Sequence, residues 1–372
     1  MKTVELRPGT AGRDSMIIRE YYSCDVAGQA HWRDAIAKSD WNAGQKLHEL
    51  LSTDTLRTKE WIGADARLYL LTEDDQLCAF CTLAANDDVP DTDLTPWIGF
   101  VYTFPAWRGQ HLSGTLLAHV IEQARTDGHT AVYISTDHIG LYEKYGAAFQ
   151  EDRKDLWGGN TRIYRLDFGW MQADGNERES GLPCREKAER ILEVSHLLNP
   201  GPWREHSYCV ARAAERIANA CGDIDPEQAY LCGLLHDIGR RFGKGHLRHA
   251  YDGWQFMEHL GFPGIARICL THSFKTQTLD DYIGNHDLTG KEEGALKEAL
   301  AACHYDDLDL LIQLCDSICG TQVMNIEERM LDVKRRYGGY YPQDKWNANL
   351  EILRTFEARA GGDIYQIAGN GA

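Results

Sequence analysis

Six side chains that commonly bind metals are spread over the C-terminal half of the chain: His206, His236, Asp237, His249, His272 and Asp316. A single histidine on an apolar helical stripe is usually a hydrogen-bonded core residue. A buried carboxylate is more costly, because it needs a partner of opposite charge. Six such groups on five helical segments are hard to explain one by one, whereas one or two cations would neutralise them together. The set offers nitrogen and oxygen without thiolate, which suits Fe, Mn, Co, Ni, Zn or Mg rather than a structural zinc site.

The apolar residues around these ligands follow the period of an α-helix. His249 shares a stripe with Phe256, Asp316 shares one with Ile312, and the same period surrounds His206. The sequence therefore predicts that separate helices carry the ligands and turn them towards one core.

Basic residues come directly after the His–Asp pair. Arg240, Arg241 and Lys244 are candidates for holding substrate phosphates, and solvated surface charge is the other interpretation. The long polar stretch 273–292 predicts a lid over the site. Four further histidines lie off the stripes or in loops and are predicted to be surface groups: 246, 259, 286 and 304.

The N-terminal half carries a candidate anion-binding turn. Residues 97–125 predict a strand, a turn opened by Pro105 and an amphipathic helix, with RGQHLSG at 108–114 between strand and helix. A turn of small residues entering a helix presents backbone N–H groups beside the positive end of the helix dipole. Such a turn can hold a pyrophosphate, and Arg108 can add charge-assisted hydrogen bonds. On these seven residues alone, an ordinary loop is the alternative.

The order of motifs resembles the GCN5-related N-acetyltransferase (GNAT) family over about residues 1–168. After the turn, residues 131–149 give a strand, a short helix with LYEKYG and another strand. The resemblance implies an acetyl-CoA-dependent N-acetyltransferase with a small-molecule amine as acceptor. It also implies that the pyrophosphate is bound by seven residues: Arg108, Gly109, Gln110, His111, Leu112, Ser113 and Gly114.

The same resemblance assigns further roles. Val101 and Tyr102 would pair with the pantetheine amides as an added strand does. Tyr142 would be the general acid that protonates the leaving thiolate, with Tyr145 as the alternative.

The sequence departs from the family pattern at the turn and at the base. His111 stands where the family usually has glycine, and Ser113 stands where it usually has glycine or alanine. The strand WIGFVYTF carries no carboxylate that would serve as general base, so water or a more distant group would take that role.

The C-terminal half resembles the HD-domain phosphohydrolase superfamily over roughly residues 184–335, and LLHDIGRR is close to its central signature. In that superfamily one metal is bound by the pattern H…HD…D, here His206, His236, Asp237 and Asp316. Members with two more histidines hold a second metal, and His249 and His272 have suitable places in the order. The resemblance implies hydrolysis of a phosphate ester or anhydride at a site of one or two divalent metals, with Asp237 catalytic and bridging. Some bacterial dinucleoside-tetraphosphate hydrolases have this arrangement.

The element pattern predicts an α+β chain of two domains. A GNAT-like mixed β-sheet with flanking helices is expected over residues 1–170, a polar linker over 171–183 and an all-α HD-type domain over 184–340. The tail, 341–372, is expected to hold one more helix.

Composition sets wider bounds. A chain of 372 residues is too long for one core of usual size, and 43% hydrophobic residues argue against disorder. The net charge of −17 disfavours nucleic acid as a partner. No apolar run is long enough to cross a bilayer, and residues 1–15 lack the apolar core of a secretory signal, so a cytoplasmic protein without membrane contact is expected. Eleven scattered cysteines fit reduced core thiols.

Three functional hypotheses remain open at this point. The chain is a bifunctional acetyltransferase and phosphohydrolase acting on a phosphorylated small molecule or nucleotide, or its first domain is a non-catalytic CoA sensor that regulates the hydrolase. In the third hypothesis the HD domain only binds a nucleotide. The oligomeric state is also open, a homodimer included.

Overall fold

The computed structural model describes residues 16–58, 62–73, 75–336 and 340–369. Residues 1–15, predicted not to be a secretory signal, lie outside the described residues. The first part of the fold is a sheet with three α-helices: β1 Ile17–Glu20, α1 Val26–Ile36, α2 Asn42–Ser52, β2 Arg67–Glu73, β3 Gln76–Ala84, β4 Trp97–Thr103, α3 Leu112–Thr126, β5 Ala131–Thr136, β6 Ala148–Lys154 and β7 Asn160–Asp167.

The second part is helical throughout the described ranges. Its α-helices are α4 Gly175–Ser180, α5 Arg185–Leu198, α6 Trp203–Cys221, α7 Pro226–Leu235, α8 Arg248–Leu260, α9 Pro263–Thr271, α10 Gly290–Ala302, α11 Asp307–Ile318, α12 Ile326–Arg336, α13 Gln343–Ala360 and α14 Ile364–Gly369. The predicted succession of a mixed sheet domain and a helical domain is confirmed, and the tail holds two helices where one was expected.

The sheet opens between two of its strands. Its order is β1-β2-β3-β4-β5-β7-β6, and among the strands of the described ranges only β4 and β5 run parallel. Their pairing in the described strands is limited to Trp97 opposite Tyr133. Beside this point, the register of β3 and β4 shifts between Phe80 and Thr82, and Phe100 has a φ of 49°. A bulge of this kind bends a strand, so β4 turns away from β5 beyond Trp97.

Helices cover both faces of the sheet. One face carries Phe80 and Leu70, which pack with Leu47 of α2 and Trp32 of α1. The opposite face packs against α3. Coverage on both faces explains why β2 and β3 are almost wholly buried and read as continuous apolar runs rather than alternating ones.

The segment predicted as a linker is packed and partly helical. Helix α4 begins with a capping box in which Asp174 and Glu177 each accept a backbone N–H of the other. Met171 and Ala173, just before it, are buried in the core cluster that includes residues of both parts. Residues 171–183 therefore fasten the sheet to the helical domain, and polar composition alone did not indicate these contacts.

Helix α3 lies between the two parts. The carbonyl oxygen of Leu198, at the end of α5, occupies the space where a side chain at Gly114 would begin. Further along α3, Arg125 donates a hydrogen bond to the carbonyl oxygen of His259 at 3.1 Å. The helix that follows the candidate anion turn is thus in direct contact with the helical domain.

Two other expectations concern the whole chain. All eleven cysteines lie in the described ranges and are free. Of the helices in these ranges, none has both the length and the apolar character needed to cross a bilayer.

Candidate active sites

The six predicted ligands come together in the helical domain. Their ligand atoms form two groups, each with all atoms within 4.8 Å of one another. The first group is His206, His236 and Asp316, and the second is Asp237, His249 and His272. They are carried by α6, the turn after α7, α8, the end of α9 and α11, so five separate segments converge.

The carboxylate of Asp237 lies between the two groups. One of its oxygens, Oδ1, is 3.2 Å from Nε2 of His249 and 3.7 Å from Nε2 of His272. The other, Oδ2, is 4.0 Å from Nε2 of His236. In the first group, Oδ1 of Asp316 is 3.2 Å from Nε2 of His206 and 3.9 Å from that of His236. A carboxylate that faces both groups has the placement of a bridging ligand.

All four imidazole rings are oriented by backbone carbonyls. Nδ1 of His236 lies 2.7 Å from the oxygen of Gly233, and Nδ1 of His272 lies 2.9 Å from that of Cys269. Nδ1 of His206 and of His249 face carbonyl oxygens in the same way. A carbonyl only accepts, so each Nδ1 carries a proton, and Nε2 of His236, His249 and His272 presents a lone pair to the centre of the site. Nε2 of His206 instead donates a hydrogen bond to Asp316, which raises the pKa of His206 against the effect of burial.

Two glycines allow this convergence. A β-carbon on Gly239, in the 3-10 helix after Asp237, would collide with the carbonyl oxygen of His249 and the nitrogen of Gly253. A β-carbon on Gly253 would in turn lie 3.2 Å from the nitrogen of Gly239 and from Cβ of Cys269. The segment after the His–Asp pair and α8 therefore meet backbone to backbone, which brings His249 next to Asp237.

The ionisation of these groups suits cation binding. Burial lowers the pKa of His249 to about 3 and that of His272 to about 4, so both rings are neutral near pH 7. Burial by itself would raise the pKa of Asp237, but the charge of Arg240 and the neighbouring histidines hold it well below its usual range. Asp316 is likewise held ionised against burial, mainly by its hydrogen bond with His206.

Two buried polar atoms indicate which kind of ligand these residues suit. Nε2 of His236 and Oδ1 of Asp237 have no hydrogen-bond partner among the described residues. Buried polar atoms of this kind are costly unless something binds them. Both belong to the converging set of imidazole nitrogens and carboxylate oxygens, so the residues fit one or two divalent cations.

All the candidate ligands except His236 form part of the wall of a cavity of about 780 Å³. The other walls carry six cationic side chains, namely Arg240, Lys244, Lys275, Arg329, Arg336 and Lys345. Arg240 also forms an ion pair with Asp237. Three of the six belong to α12 and α13, which the sequence did not connect with the site. In a chain of net charge −17, this concentration of positive charge favours an anionic ligand.

Two predictions about neighbouring residues were wrong. Arg241 was a candidate phosphate ligand, but it is 1% exposed and points away from the cavity. Its guanidinium donates to Oγ of Ser195 at 3.2 Å and lies 4.1 Å from the centre of the Phe256 ring. His246 was predicted to be a surface group, but it lines the cavity.

The segment predicted as a lid borders the cavity and is packed on one side. Ser273, Tyr282 and Ile283 line the cavity. Phe274 and Leu279 are buried in a cluster with residues of α8 and α10. The segment is thus held in place by buried apolar side chains, whereas Ser273 and Tyr282 face the cavity.

The candidate pyrophosphate turn contains a residue in the left-handed backbone conformation directly before α3. His111 caps the start of α3 with a φ of 59°, a left-handed conformation that glycine adopts most easily. Its side chain is exposed, as are Arg108 and Gly109, and the space around Gly109 is open. Leu112 and Gly114 are buried beneath the turn. His111 therefore adopts the left-handed backbone conformation in place of glycine, and its side chain lies at the surface.

Arg108 is held by a residue that sequence analysis missed. Its Nη2 lies 3.3 Å from Oδ1 of Asp40, and its Nε donates to the carbonyl oxygen of Thr103 at 3.0 Å. Asp40 also accepts a hydrogen bond from the hydroxyl of Tyr102, and this bond, with Arg108, lowers the pKa of Asp40. Asp40 lies between α1 and α2, far from the turn in sequence, so no local pattern could have found it.

The two candidate acids occupy different environments. Tyr142 and Tyr145 are both buried, in the 3-10 helix after β5. Tyr145 is hydrogen-bonded to Ser113 in the first turn of α3, whereas burial and the charges of neighbouring groups raise the pKa of Tyr142. Both remain protonated near pH 7, so each has a proton to donate.

Fold and sites together define a two-domain protein, in which an opened mixed sheet with a candidate anion-binding turn precedes a helical domain with a cluster of histidines and aspartates. Residues 33–147 match the model of the acetyltransferase (GNAT) family, and residues 203–319 match that of the HD domain. The chain thus contains a GNAT acetyltransferase domain followed by an HD domain, as the sequence predicted.

Several solved structures are similar to the first domain. A GNAT family acetyltransferase from Elizabethkingia anophelis, solved with acetyl-CoA bound, is 16% identical and matches 42% of this chain and all of its own, with a TM-score of 0.30. An acyl-CoA N-acyltransferase from Pseudomonas aeruginosa is 21% identical over 41% of this chain and 97% of its own, also with a TM-score of 0.30. An acetyltransferase from Streptococcus agalactiae is 17% identical over 41% and 98%, with a TM-score of 0.31. The comparison with curated proteins gives no match.

Proposed function

We propose that this chain is a bifunctional enzyme, an acetyl-CoA-dependent N-acetyltransferase joined to a metal-dependent phosphohydrolase. The phosphohydrolase would act on a nucleotide or a small phosphate ester or anhydride, and the acetyltransferase on a small-molecule amine. The observation that carries the proposal is the convergence of six candidate ligands from five segments beside a cavity whose other walls carry six cationic side chains.

In the phosphohydrolase, His206, His236 and Asp316 would hold one cation, and His249 and His272 a second, with Asp237 shared. When bound, such cations polarise a phosphoryl group and make water a stronger nucleophile at neutral pH. The chain's own contribution is to orient the imidazoles through backbone carbonyls and to bind phosphate oxygens.

Substrate phosphates would be recognised on two sides of the cavity. Arg240 and Lys244 follow the His–Asp pair, whereas Arg329, Arg336 and Lys345 come from α12 and α13. The matched HD segment ends at residue 319, so the residues of this second wall lie beyond it. Cations on both sides favour a substrate with more than one anionic group, such as a phosphate anhydride.

For acetyl transfer, the support comes from the turn and the open sheet. The exposed residues 108, 109 and 111 lead into the first turn of α3, so the N–H groups of this segment lie at the positive end of the helix dipole. The pantetheine would enter the opening between β4 and β5 and pair with Val101 and Tyr102. Tyr142 would supply the proton for the departing sulfur.

A second candidate function treats the first domain as a CoA-binding regulator of the hydrolase. The contact between the two parts favours it. Leu198 lies against Gly114 in α3, and a β-carbon on Gly243, next to Lys244, would lie 3.2 Å from Cγ2 of Thr115. A ligand bound at the turn would therefore be able to shift the segment that carries Arg240 and Lys244.

The phosphohydrolase is tested by metal analysis followed by a screen of nucleotides and phosphate esters. We expect one or two transition-metal ions per chain, hydrolysis of at least one anhydride, and loss of activity in Asp237→Asn. Arg329→Gln should raise KM for the anhydride, while Arg335→Gln, on the same helix but outside the cavity, should not. Absence of metal after metal-supplemented expression would refute the site.

The acetyltransferase is tested with calorimetry on acetyl-CoA and a panel of amines, comparing the wild type with Tyr142→Phe. Turnover that falls in Tyr142→Phe supports the enzyme. Binding of acetyl-CoA without turnover of any amine, together with altered hydrolysis when acetyl-CoA is present, supports the regulator.

A further inference from the structure

The loop between β3 and β4 places a carboxylate against the strand that lacks one of its own. A β-carbon on Gly99 of β4 would lie 2.9 Å from Oδ2 and 3.2 Å from Oδ1 of Asp87. It would also lie 3.1 Å from Oγ1 of Thr82, the residue paired with Gly99 across β3 and β4. The absence of a side chain at Gly99 therefore leaves the space that the Asp87 carboxyl group fills.

This carboxyl group lies where the sheet opens. Gly99 is two residues beyond Trp97, the last residue of β4 that pairs with β5, and it precedes the bulge at Phe100. Thr82 belongs to the face of the sheet that carries Phe80, which α1 and α2 cover. Asp87 is thus on the α1 and α2 side of the opening.

Tyr142 lies on the other side of the same opening. It packs in the core that α3 forms with the sheet, together with Cys81 and Leu116. Burial raises its pKa first, and the negative charge of Asp87 is among the further causes. The carboxylate and the phenol are therefore close enough to interact electrostatically, and a thioester between β4 and β5 would have one on each side.

We propose that Asp87 is the catalytic residue that accepts the proton of the amine acceptor during acetyl transfer. The inference depends on the acetyltransferase activity proposed above. It fills the gap left by the strand 97–104, and it places the acceptor on the face of the sheet covered by α1 and α2.

The proton and bond changes balance with these two residues. Asp87 takes one proton from the ammonium form of the acceptor and passes it to solvent. The amine nitrogen then forms the C–N bond as the C–S bond breaks, and Tyr142 donates its hydroxyl proton to the departing sulfur. The second proton lost by nitrogen returns to Tyr142 through solvent, so the products are an amide and a free thiol.

The surroundings of Asp87 adjust it to this task. Burial, and then the adjacent Asp88, raise the pKa of Asp87 to about 8, while the N–H of Asp88 donates to it at 2.9 Å. Asp88 faces the hydroxyl of Ser135 and the charge of Asp155. A base whose pKa lies near the working pH transfers protons most effectively. Activity should therefore rise with pH up to about 8.

The first test needs no acetyl-CoA. In protein labelled with ¹³C at aspartate carboxyl carbons, one signal should titrate near pH 8 and disappear in Asp87→Asn. Asp93→Asn, in the same loop and exposed, is the matched control and should leave that signal in place. If the Asp87 signal titrates near pH 4, the inference is wrong.

The second test compares turnover of a panel comprising a diamine, a polyamine, an amino sugar and a lysine peptide. We expect kcat/KM of Asp87→Asn to fall by about 100-fold or more and its rise towards pH 8 to vanish, with acetyl-CoA affinity by calorimetry unchanged. Asp87→Glu should recover part of the rate, and metal content reports whether each variant is folded. Wild-type turnover that persists in Asp87→Asn overturns this inference alone, whereas a wild type that acetylates none of the amines overturns it together with the acetyltransferase proposal.

Discussion

The carbonyl oxygen of Leu198, at the end of α5, lies against the α-carbon of Gly114, in the first turn of α3. It fills the space that a β-carbon at Gly114 would need. Through this contact α3 packs directly against α5. The two domains are therefore packed at a point where one extra methyl group cannot be accommodated.

Replacement of Gly114 by alanine tests this contact. Because the obstacle is backbone, it cannot rotate away, and we expect the free energy of unfolding to fall by about 1–3 kcal/mol. Urea denaturation of the whole chain measures the change. Gly294→Ala is the control, since Gly294 lies within α10 with open space around it and alanine there should be neutral or stabilising by up to about 1 kcal/mol. Equal stability of the two variants would show that the domains are not tightly fitted at Gly114.

Metal content should report the two ligand groups separately. His272→Ala removes one ligand from the group of Asp237 and His249, and His206→Ala removes one from the group of His236 and Asp316. If each group holds an ion, each variant should retain about one ion fewer per chain after dialysis, as measured by mass spectrometry of the metals. His304→Ala, which is exposed, should keep the wild-type content. Loss of all metal in both variants would instead indicate a single ion shared by the six residues.

The convergence of the six candidate ligands could be predicted from the sequence because each carries a local signal. Ligand type and helical period together placed His206, His249 and Asp316 on apolar faces, and folding only had to bring those faces together. The two α12 cations that line the cavity, Arg329 and Arg336, carry no such signal, since an amphipathic helix with basic residues is usually a solvated one. Only the packing of α12 beside α11 shows that they face the cavity.

Backbone conformation and long-range contacts explain the other omissions. The left-handed φ of His111 cannot be derived from residue type, because residues other than glycine seldom adopt a positive φ. Asp87 carries no local signal, because its carboxyl group comes from a loop that folds back over Gly99 and not from the strand itself. Arg241 was predicted to bind phosphate because it is adjacent to Arg240 in sequence. In a 3-10 helix, however, successive side chains point in different directions.

The stability of the chain should depend on pH through His119 of α3. Burial, with Arg248 and Arg67, lowers its pKa to about 4, and its ring lies 5.0 Å from that of Tyr69. An unfolded histidine has a pKa near 6.5, so between about pH 6.5 and 4 the unfolded chain binds a proton that the folded chain does not. The free energy of unfolding should therefore decrease as pH falls through this window, by up to about 1.4 kcal/mol per pH unit from this group, and be unaffected by it above.

Urea unfolding at pH 6.5, 5.5 and 4.5 measures this dependence. His119→Gln should flatten the decline relative to the wild type, whereas His304→Gln, at an exposed site, should not. Parallel declines in the wild type and His119→Gln would mean that His119 titrates normally in the folded chain.

Asp40 should weaken the binding of acetyl-CoA. Its carboxylate pairs with Arg108 at 3.3 Å and would compete with the pyrophosphate for the same guanidinium. The pair is exposed, and exposed ion pairs are weak, so Asp40→Asn should lower the Kd for acetyl-CoA by no more than about 5-fold. The asparagine oxygen can still accept a hydrogen bond from the hydroxyl of Tyr102, so the change is chiefly one of charge.

The gain in affinity for acetyl-CoA should shrink as the salt concentration is raised, because screening weakens the competition in the wild type. Calorimetry at two ionic strengths measures both effects, with Asp34→Asn as the control for a nearby exposed carboxylate paired with Arg33. A Kd that is unchanged or raised in Asp40→Asn would show that Arg108 does not contact the pyrophosphate.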